Sequence, residues 1–182
     1  MNLNIENSIL AVVDMQERFA PAIHNFEAVQ KKVVQLCSAA NEMNLSVVVT
    51  EQYPKGLGHT VEPIRQVLRE NVPVIEKTAF SCFGSEEFRK ELIGLKKKTV
   101  LLCGIESHIC LLQTALDAAE RGYETIVIAD AVSSRHPEDR ETALNFLRTQ
   151  EGISVLSMES VLFFLLQDST HPAFRAVQKI IV

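Results

Sequence analysis

The sequence predicts an α/β fold, a mostly parallel sheet with helices on both of its faces, and three observations carry that prediction. Six short runs rich in valine, isoleucine or leucine, at residues 8–13, 46–50, 72–75, 99–103, 125–129 and 153–156, have the length and composition of strands buried on both faces. Segments with helical spacing lie between them, so strand and helix alternate along the chain, as the crossovers between parallel strands require. No internal repeat, low-complexity tract or linker interrupts the alternation, which reads as a single domain over residues 1–182.

The elements follow in order. Ser8-Ile9-Leu10-Ala11-Val12-Val13 forms the first strand and ends on Asp14. Val29, Val33, Leu36, Ala40 and Met43 recur on one face and predict a helix over 26–44, followed at once by the second run. A shorter helix over about 61–69 precedes the third run, and Ser85-Glu86-Glu87 supplies an acidic first turn to a helix over 85–95. The fourth run leads into a helix over 107–121 that Gly122 closes; Pro137 sits near the start of a helix over 137–150. Helices over 159–167 and 172–180 complete the chain.

Composition narrows the function classes. With 182 residues, 47% of them hydrophobic, the chain can build one well-buried core. A formal charge of −5, with Lys96-Lys97-Lys98 as the only basic run, gives no electrostatic footprint for nucleic acid and points to small molecules or proteins as partners; the small-molecule substrate follows from the resemblance given below. No stretch approaches the ~20 apolar residues that span a bilayer, and Met1-Asn2-Leu3-Asn4 has no basic leader region, so no membrane partner and a cytoplasmic location are expected. Cys37, Cys82, Cys103 and Cys110 show neither C-x-x-C pairing nor zinc-ligand spacing and read as free thiols.

Ligands of an open parallel sheet bind outside the carboxyl ends of its strands. Asp14 follows the first run, Lys77 the third and Cys110 the fourth, which puts a carboxylate, an ammonium and a thiol at one sheet edge. A helix starting near Ser107 would hold Cys110 in its first turn, where the helix dipole and Lys77 favour a thiolate. Asp14 could take the thiol proton and pass it to a leaving group. Position alone leaves the alternatives open: Cys110 as a small core residue, Asp14 as a turn cap, Lys77 as a solvated side chain.

With these residues go longer matches: Val13-Asp14-Met15-Gln16, Thr50-Glu51-Gln52-Tyr53-Pro54-Lys55-Gly56-Leu57-Gly58, Glu76-Lys77-Thr78-Ala79-Phe80-Ser81, Gly104-Ile105-Glu106-Ser107-His108-Ile109-Cys110, and Asp130-Ala131-Val132-Ser133-Ser134-Arg135. Through them the chain resembles the isochorismatase-like cysteine hydrolase superfamily, which includes nicotinamidases and N-carbamoylsarcosine amidohydrolases, and within it the small isochorismatase domain-containing branch. The resemblance implies a three-layer α/β/α fold with a six-stranded parallel sheet and a catalytic triad of Asp14, Lys77 and Cys110. It also implies a non-proline cis peptide in the segment 104–106 and an oxyanion hole formed by the backbone N–H groups of Glu106 and Cys110.

Two departures bear on the substrate. Nicotinamidases of the family hold a metal through an Asp-x-His pair and a further histidine after the second strand, whereas this chain reads Glu51-Gln52-Tyr53-Pro54 with only His59 nearby. Neither a metal nor a cofactor is therefore expected. Siderophore-pathway isochorismatases lack a cysteine at the position of Cys110, so its presence implies hydrolysis of an amide-like or ester-like bond. Phe19, Gln52, Phe80, Phe83, His108 and Arg135 are the candidates for the substrate pocket, with Glu51 within reach of it.

A non-catalytic metabolite-binding or interaction module on the same fold remains the rival reading, and thiol redox chemistry a third. The apolar runs 161–166 and 180–182 either close the core or face another subunit, and the resemblance implies a homo-oligomer.

Overall fold

The computed structural model describes residues 3–182; Met1 and Asn2, part of the opening segment read above, lie outside the described residues. The chain runs through β1 (Ser8–Val13), α1 (Phe26–Met43), β2 (Ser46–Gln52), α2 (Pro54–Leu57), α3 (Glu62–Arg65), β3 (Val74–Lys77) and α4 (Glu86–Gly94). It continues through β4 (Thr99–Ile105), α5 (Cys110–Glu120), β5 (Glu124–Ser133), α6 (Pro137–Leu147), β6 (Ile153–Leu156), α7 (Met158–Leu166) and α8 (Phe174–Ile181). The strands form a six-stranded sheet in the order β3-β2-β1-β4-β5-β6, parallel throughout. The chain winds outward from β1 to β3, then returns to β4 on the other side of β1. The strand order thus reverses between β1 and β4, where an open α/β sheet leaves a crevice.

Alternation along β1 makes the three layers. Leu10 and Val12 pack with Val33, Leu36 and Val161 under the helices α1, α7 and α8. Ile9, Ala11 and Val13 point the other way, onto Phe88, Leu111 and Leu144 of α4, α5 and α6. A side-chain period of two thus supplies both cores from one strand. Gly104 lets β4 close on β1 at the crevice: its φ is +111°, and a Cβ there would stand 2.1 Å from the carbonyl oxygen of Val13.

Several expectations are corrected. Strands buried on both faces hold for the sheet centre but not for its edges: Val74 and Glu76 of β3 are exposed, and β6 is only partly buried beyond Ile153. β3 starts at Val74 and ends on Lys77, so the lysine belongs to the strand and shares the buried side of Ile75. β5 extends to Ser133, its register against β4 shifting between Leu102 and Gly104. The expected helix from Ser107 begins instead at Cys110. The Glu106 carbonyl accepts from the N–H groups of Ile109 (3.1 Å) and Leu111 (3.2 Å), a tight turn that takes up residues 107–109. No described helix is long and apolar enough to cross a membrane.

Candidate active site

Asp14 follows the end of β1, Lys77 ends β3 and Cys110 opens α5 beyond the end of β4, and the three converge at the crevice between β1 and β4. Asp14 turns out of β1 in the left-handed region, φ 52°. That turn is held by its N–H donating to the carbonyl of Thr50 at 3.1 Å. Its Oδ1 accepts from the hydroxyl of Thr50 at 2.8 Å and its Oδ2 from Lys77 Nζ at 2.7 Å. Lys77 starts two strands away, and its long side chain crosses the end of β2 to reach Asp14. On the way Nζ donates to Gln52 Oε1 at 2.6 Å and to the carbonyl of Phe80 at 3.1 Å, with that of Ala79 at 3.3 Å. Both charged side chains are shut off from solvent, at 0% and 1% exposure. Ion pairs so buried are tolerated only when the remaining hydrogen-bonding capacity is also met, as it is here.

Cys110 is the first residue of α5 and is 6% exposed. It neighbours the Asp14 carboxylate, and each of the two groups shifts the titration of the other. Burial pushes the carboxyl of Asp14 above its ordinary range, and the charge and hydrogen bond of Lys77 offset part of that rise. Burial alone would lower Lys77, but the Asp14 carboxylate outweighs it and holds the ammonium protonated. The Cys110 thiol is raised well above ordinary thiols, first by burial and then by the negative charge of Asp14, against which Lys77 acts only in part. Lys77 favours the thiolate, as expected from the sequence, but burial and the Asp14 charge outweigh it and push the thiol toward its protonated form. Cys82 lies behind it, fully buried and pushed up to about 11 by burial, with Sγ 3.7 Å from the Thr50 hydroxyl.

Cys110 opens onto a cavity of about 690 Å³. Of the residues predicted for the pocket, Phe19, Gln52, Phe80 and Arg135 line it, and the side chain of Glu106 joins them. Phe83 does not. It is 2% exposed and packs edge-on against Phe88 with ring centroids 5.2 Å apart, under the guanidinium of Arg121, because the turn after β3 rolls it into the core. His108 is outside as well; its Nδ1 lies 2.9 Å from the Ser134 hydroxyl and its Nε2 3.8 Å from Asp139 Oδ2. Glu51 also fails to reach the cavity. Its carboxylate accepts from the N–H and hydroxyl of Thr60 (2.6 and 2.8 Å) and faces His59 Nδ1 at 3.0 Å. Burial would raise Glu51, but these bonds hold it below the usual carboxylate range.

Sequence reasoning missed Arg18, Tyr53, Leu57 and Ile109 in the cavity wall. Tyr53 adopts φ 39° and lays its ring across Gly56, where a Cβ would come within 2.5 Å of the ring. The Tyr53-Pro54-Lys55-Gly56 string after a strand end was the available signal for a tight turn carrying an aromatic. Gln16, 0% exposed, laces this loop to β2: its amide accepts from Gln52 N–H at 2.7 Å and donates to the carbonyls of Gly58 (2.7 Å) and Gln52 (3.0 Å). The carboxylate of Glu106 was missed too; it accepts from the N–H and Nε of Arg135, both at 3.1 Å. The peptide bond between Ile105 and Glu106 is cis.

A doubly wound parallel sheet with a thiol, a carboxylate and an ammonium gathered at its crevice defines an α/β protein with the parts of a nucleophilic site. The chain belongs to the Isochorismatase domain family, whose model matches residues 8–160. It is 41% identical over 180 residues to isochorismatase domain-containing protein 2 of Danio rerio, covering 98% of this chain and 89% of that protein. The solved structure of the MAR1 ribonuclease from Caenorhabditis elegans superposes with a TM-score of 0.94 at 40% identity, over 100% of this chain and 92% of that one. The YcaC gene product of Escherichia coli, an octameric hydrolase of unknown specificity, superposes with a TM-score of 0.87 over 100% of this chain and 95% of that one. At 19% identity, that likeness carries the fold alone.

Proposed function

We propose that the protein is a hydrolase of one catalytic unit that cleaves an amide-like or ester-like bond of a small molecule through a thioester on Cys110. The observation that carries this reading is Cys110 in the wall of a cavity, beside an Asp14 carboxylate whose Oδ2 is held 2.7 Å from Lys77 Nζ. As Sγ attacks the carbonyl carbon, the thiol proton passes to Asp14, and the C=O electron pair moves onto oxygen. The backbone N–H groups of Glu106 and Cys110 are assigned to that oxyanion. Collapse breaks the bond to the leaving amine or alcohol, which takes the proton from Asp14. Water then loses a proton to Asp14 as it attacks the thioester, the acid departs, and Cys110 recovers its proton. Lys77 stays charged throughout and holds Asp14 in place, so its loss hurts activation more than binding. The scheme draws on these side chains alone, without metal or cofactor.

Burial raises Asp14, which makes it a stronger acceptor for the thiol proton than an ordinary carboxylate. The assay is a panel of small amides and activated esters with the unmodified protein, Cys110→Ala and Asp14→Asn. Turnover that disappears in both variants supports the reading; turnover that survives Cys110→Ala overturns it. RNA belongs in the same panel, because the C. elegans relative is described as a ribonuclease. The rival module reading corresponds to ligand binding with no turnover of any panel member. A homo-oligomer is proposed on Phe163 and Phe164, which stand exposed on α7 beside Phe174, and light scattering returning a 20.3 kDa particle would contradict it. A cytoplasmic setting, where free thiols stay reduced, fits four buried free cysteines.

A further inference from the structure

The cavity in front of Cys110 is apolar along most of its wall but carries an unbalanced positive charge. Its charged side chains are Arg18, Glu106 and Arg135. Glu106 is 8% exposed and already committed, since one of its oxygens accepts both the N–H and the Nε of Arg135. Arg135 is bound through those two groups, which leaves the Nη nitrogens of a half-exposed guanidinium outside the pairing. The side chain of Arg18, exposed in the turn after β1, makes no hydrogen bond or ion pair with any of the described residues. One guanidinium balanced by Glu106 and one unbalanced leave a net charge of +1 in a chain whose formal charge is −5. Tyr53 and Phe80, 54% and 55% exposed, offer their rings to the same space, with Phe19, Leu57 and Ile109 deeper in the wall.

We infer that this cavity takes a small monocarboxylate with an apolar body, its carboxylate held by Arg18 and the free edge of Arg135, and its body against Tyr53 and Phe80. The inference rests on the hydrolase reading of Cys110 and names the substrate class of that site. A planar guanidinium edge matches a carboxylate in two parallel hydrogen bonds, and a single surplus charge suits a monoanion better than a phosphate dianion. About 690 Å³ is the volume of a small-molecule pocket. The carboxylate that Arg18 and Arg135 bind is distinct from the carbonyl that Cys110 attacks, so the expected substrate is an acid bearing a second, amide-like or ester-like carbonyl.

The test is equilibrium binding by calorimetry, which needs no turnover. The probes are 3-phenylpropionate, its neutral isostere 3-phenylpropionamide, and adenosine 5′-monophosphate as a phosphate arm. The carboxylate should bind roughly tenfold more tightly than the amide, and Arg18→Gln should remove most of that preference. On the unmodified protein the preference should shrink with added salt, because both guanidiniums are solvent-exposed; this readout depends on no variant folding. Equal binding of acid and amide, a preference indifferent to Arg18→Gln, or tighter binding of the phosphate would each overturn the inference. Carboxylate preference without turnover of any amide or ester would leave the anion site standing and remove the hydrolase reading. Turnover of neutral substrates without carboxylate preference would do the reverse.

Discussion

Lys77 Nζ lies 2.7 Å from Asp14 Oδ2 in a contact closed to solvent on both sides, between residues 63 positions apart in the chain. Removing one member strands the other's charge in the interior, which typically costs about 3–5 kcal/mol. Lys77→Ala is therefore expected to lower the urea unfolding free energy by that order, and Lys77→Met with Asp14→Asn to recover a large part of it. Losses that simply add across the double-mutant cycle would show that the pair is not coupled.

The Cys110 thiol is raised by burial and by the charge of Asp14. Its alkylation by iodoacetamide, followed on the Cys110 peptide by mass spectrometry, should be slow at pH 7 and still climbing beyond pH 9. Asp14→Asn removes the raising charge, so the Cys110 rate at pH 8 should increase. A plateau below pH 7 would mean a resting thiolate and contradict the neutral-thiol site.

Three further buried thiols set a stability limit on the alkaline side; burial holds Cys103 well above its ordinary value, and the other two are closer to it. Cys37 is pushed up to about 12 and Cys82 to about 11 by burial, against an ordinary value of 9.0. In the unfolded chain these thiols ionise from pH 9 upward, while in the folded protein they stay protonated until their raised values are reached. Their contribution to stability is thus fully present below pH 9 and is lost as pH rises toward 11–12. Each costs about 1.4 kcal/mol per pH unit in that window. Thermal melts from pH 8 to 11 should fall accordingly, with a shallower slope in Cys37→Ala; an identical slope would contradict the assignment.

Gln16 is the brace of the cavity loop. Gln16→Leu would leave the N–H and carbonyl of Gln52 and the carbonyl of Gly58 without the amide that pairs them, at about 1–3 kcal/mol for each group left buried and unmet. Amide exchange across residues 52–58 should accelerate while that of β4 stays unchanged. Uniform acceleration would point to global destabilisation instead of a local brace.

What was legible beforehand follows from where the constraints are local. Alternating apolar runs placed β1 and β6 to the residue and gave the alternation of the whole sheet, because strand burial is written directly into valine and isoleucine content. Where a strand ends at the site, composition fails: Glu51, Gln52 and Lys77 continue their strands as polar residues because their partners are polar as well. Asp14, Lys77 and Cys110 were visible at or just after strand ends, but the upward push on the Cys110 thiol comes from burial and from a carboxylate 96 positions away, which no local pattern encodes. Phe83 and Phe80 stand three apart on one short turn and look alike in sequence, yet one is core and the other lines the cavity. Arg18 gave no signal, since an arginine after a strand reads as solvated surface until the cavity beside it is seen.

The most direct test of the central claim is to trap the acyl-enzyme. The protein is mixed with 4-nitrophenyl acetate, quenched in acid within seconds, and analysed by intact mass and peptide mapping. One acetyl group on the Cys110 peptide is predicted, absent from Cys110→Ala and lost on incubation at neutral pH at the rate of steady-state turnover. Steady-state hydrolysis with no adduct on Cys110, or with the acetyl group on another residue, would contradict the thioester mechanism.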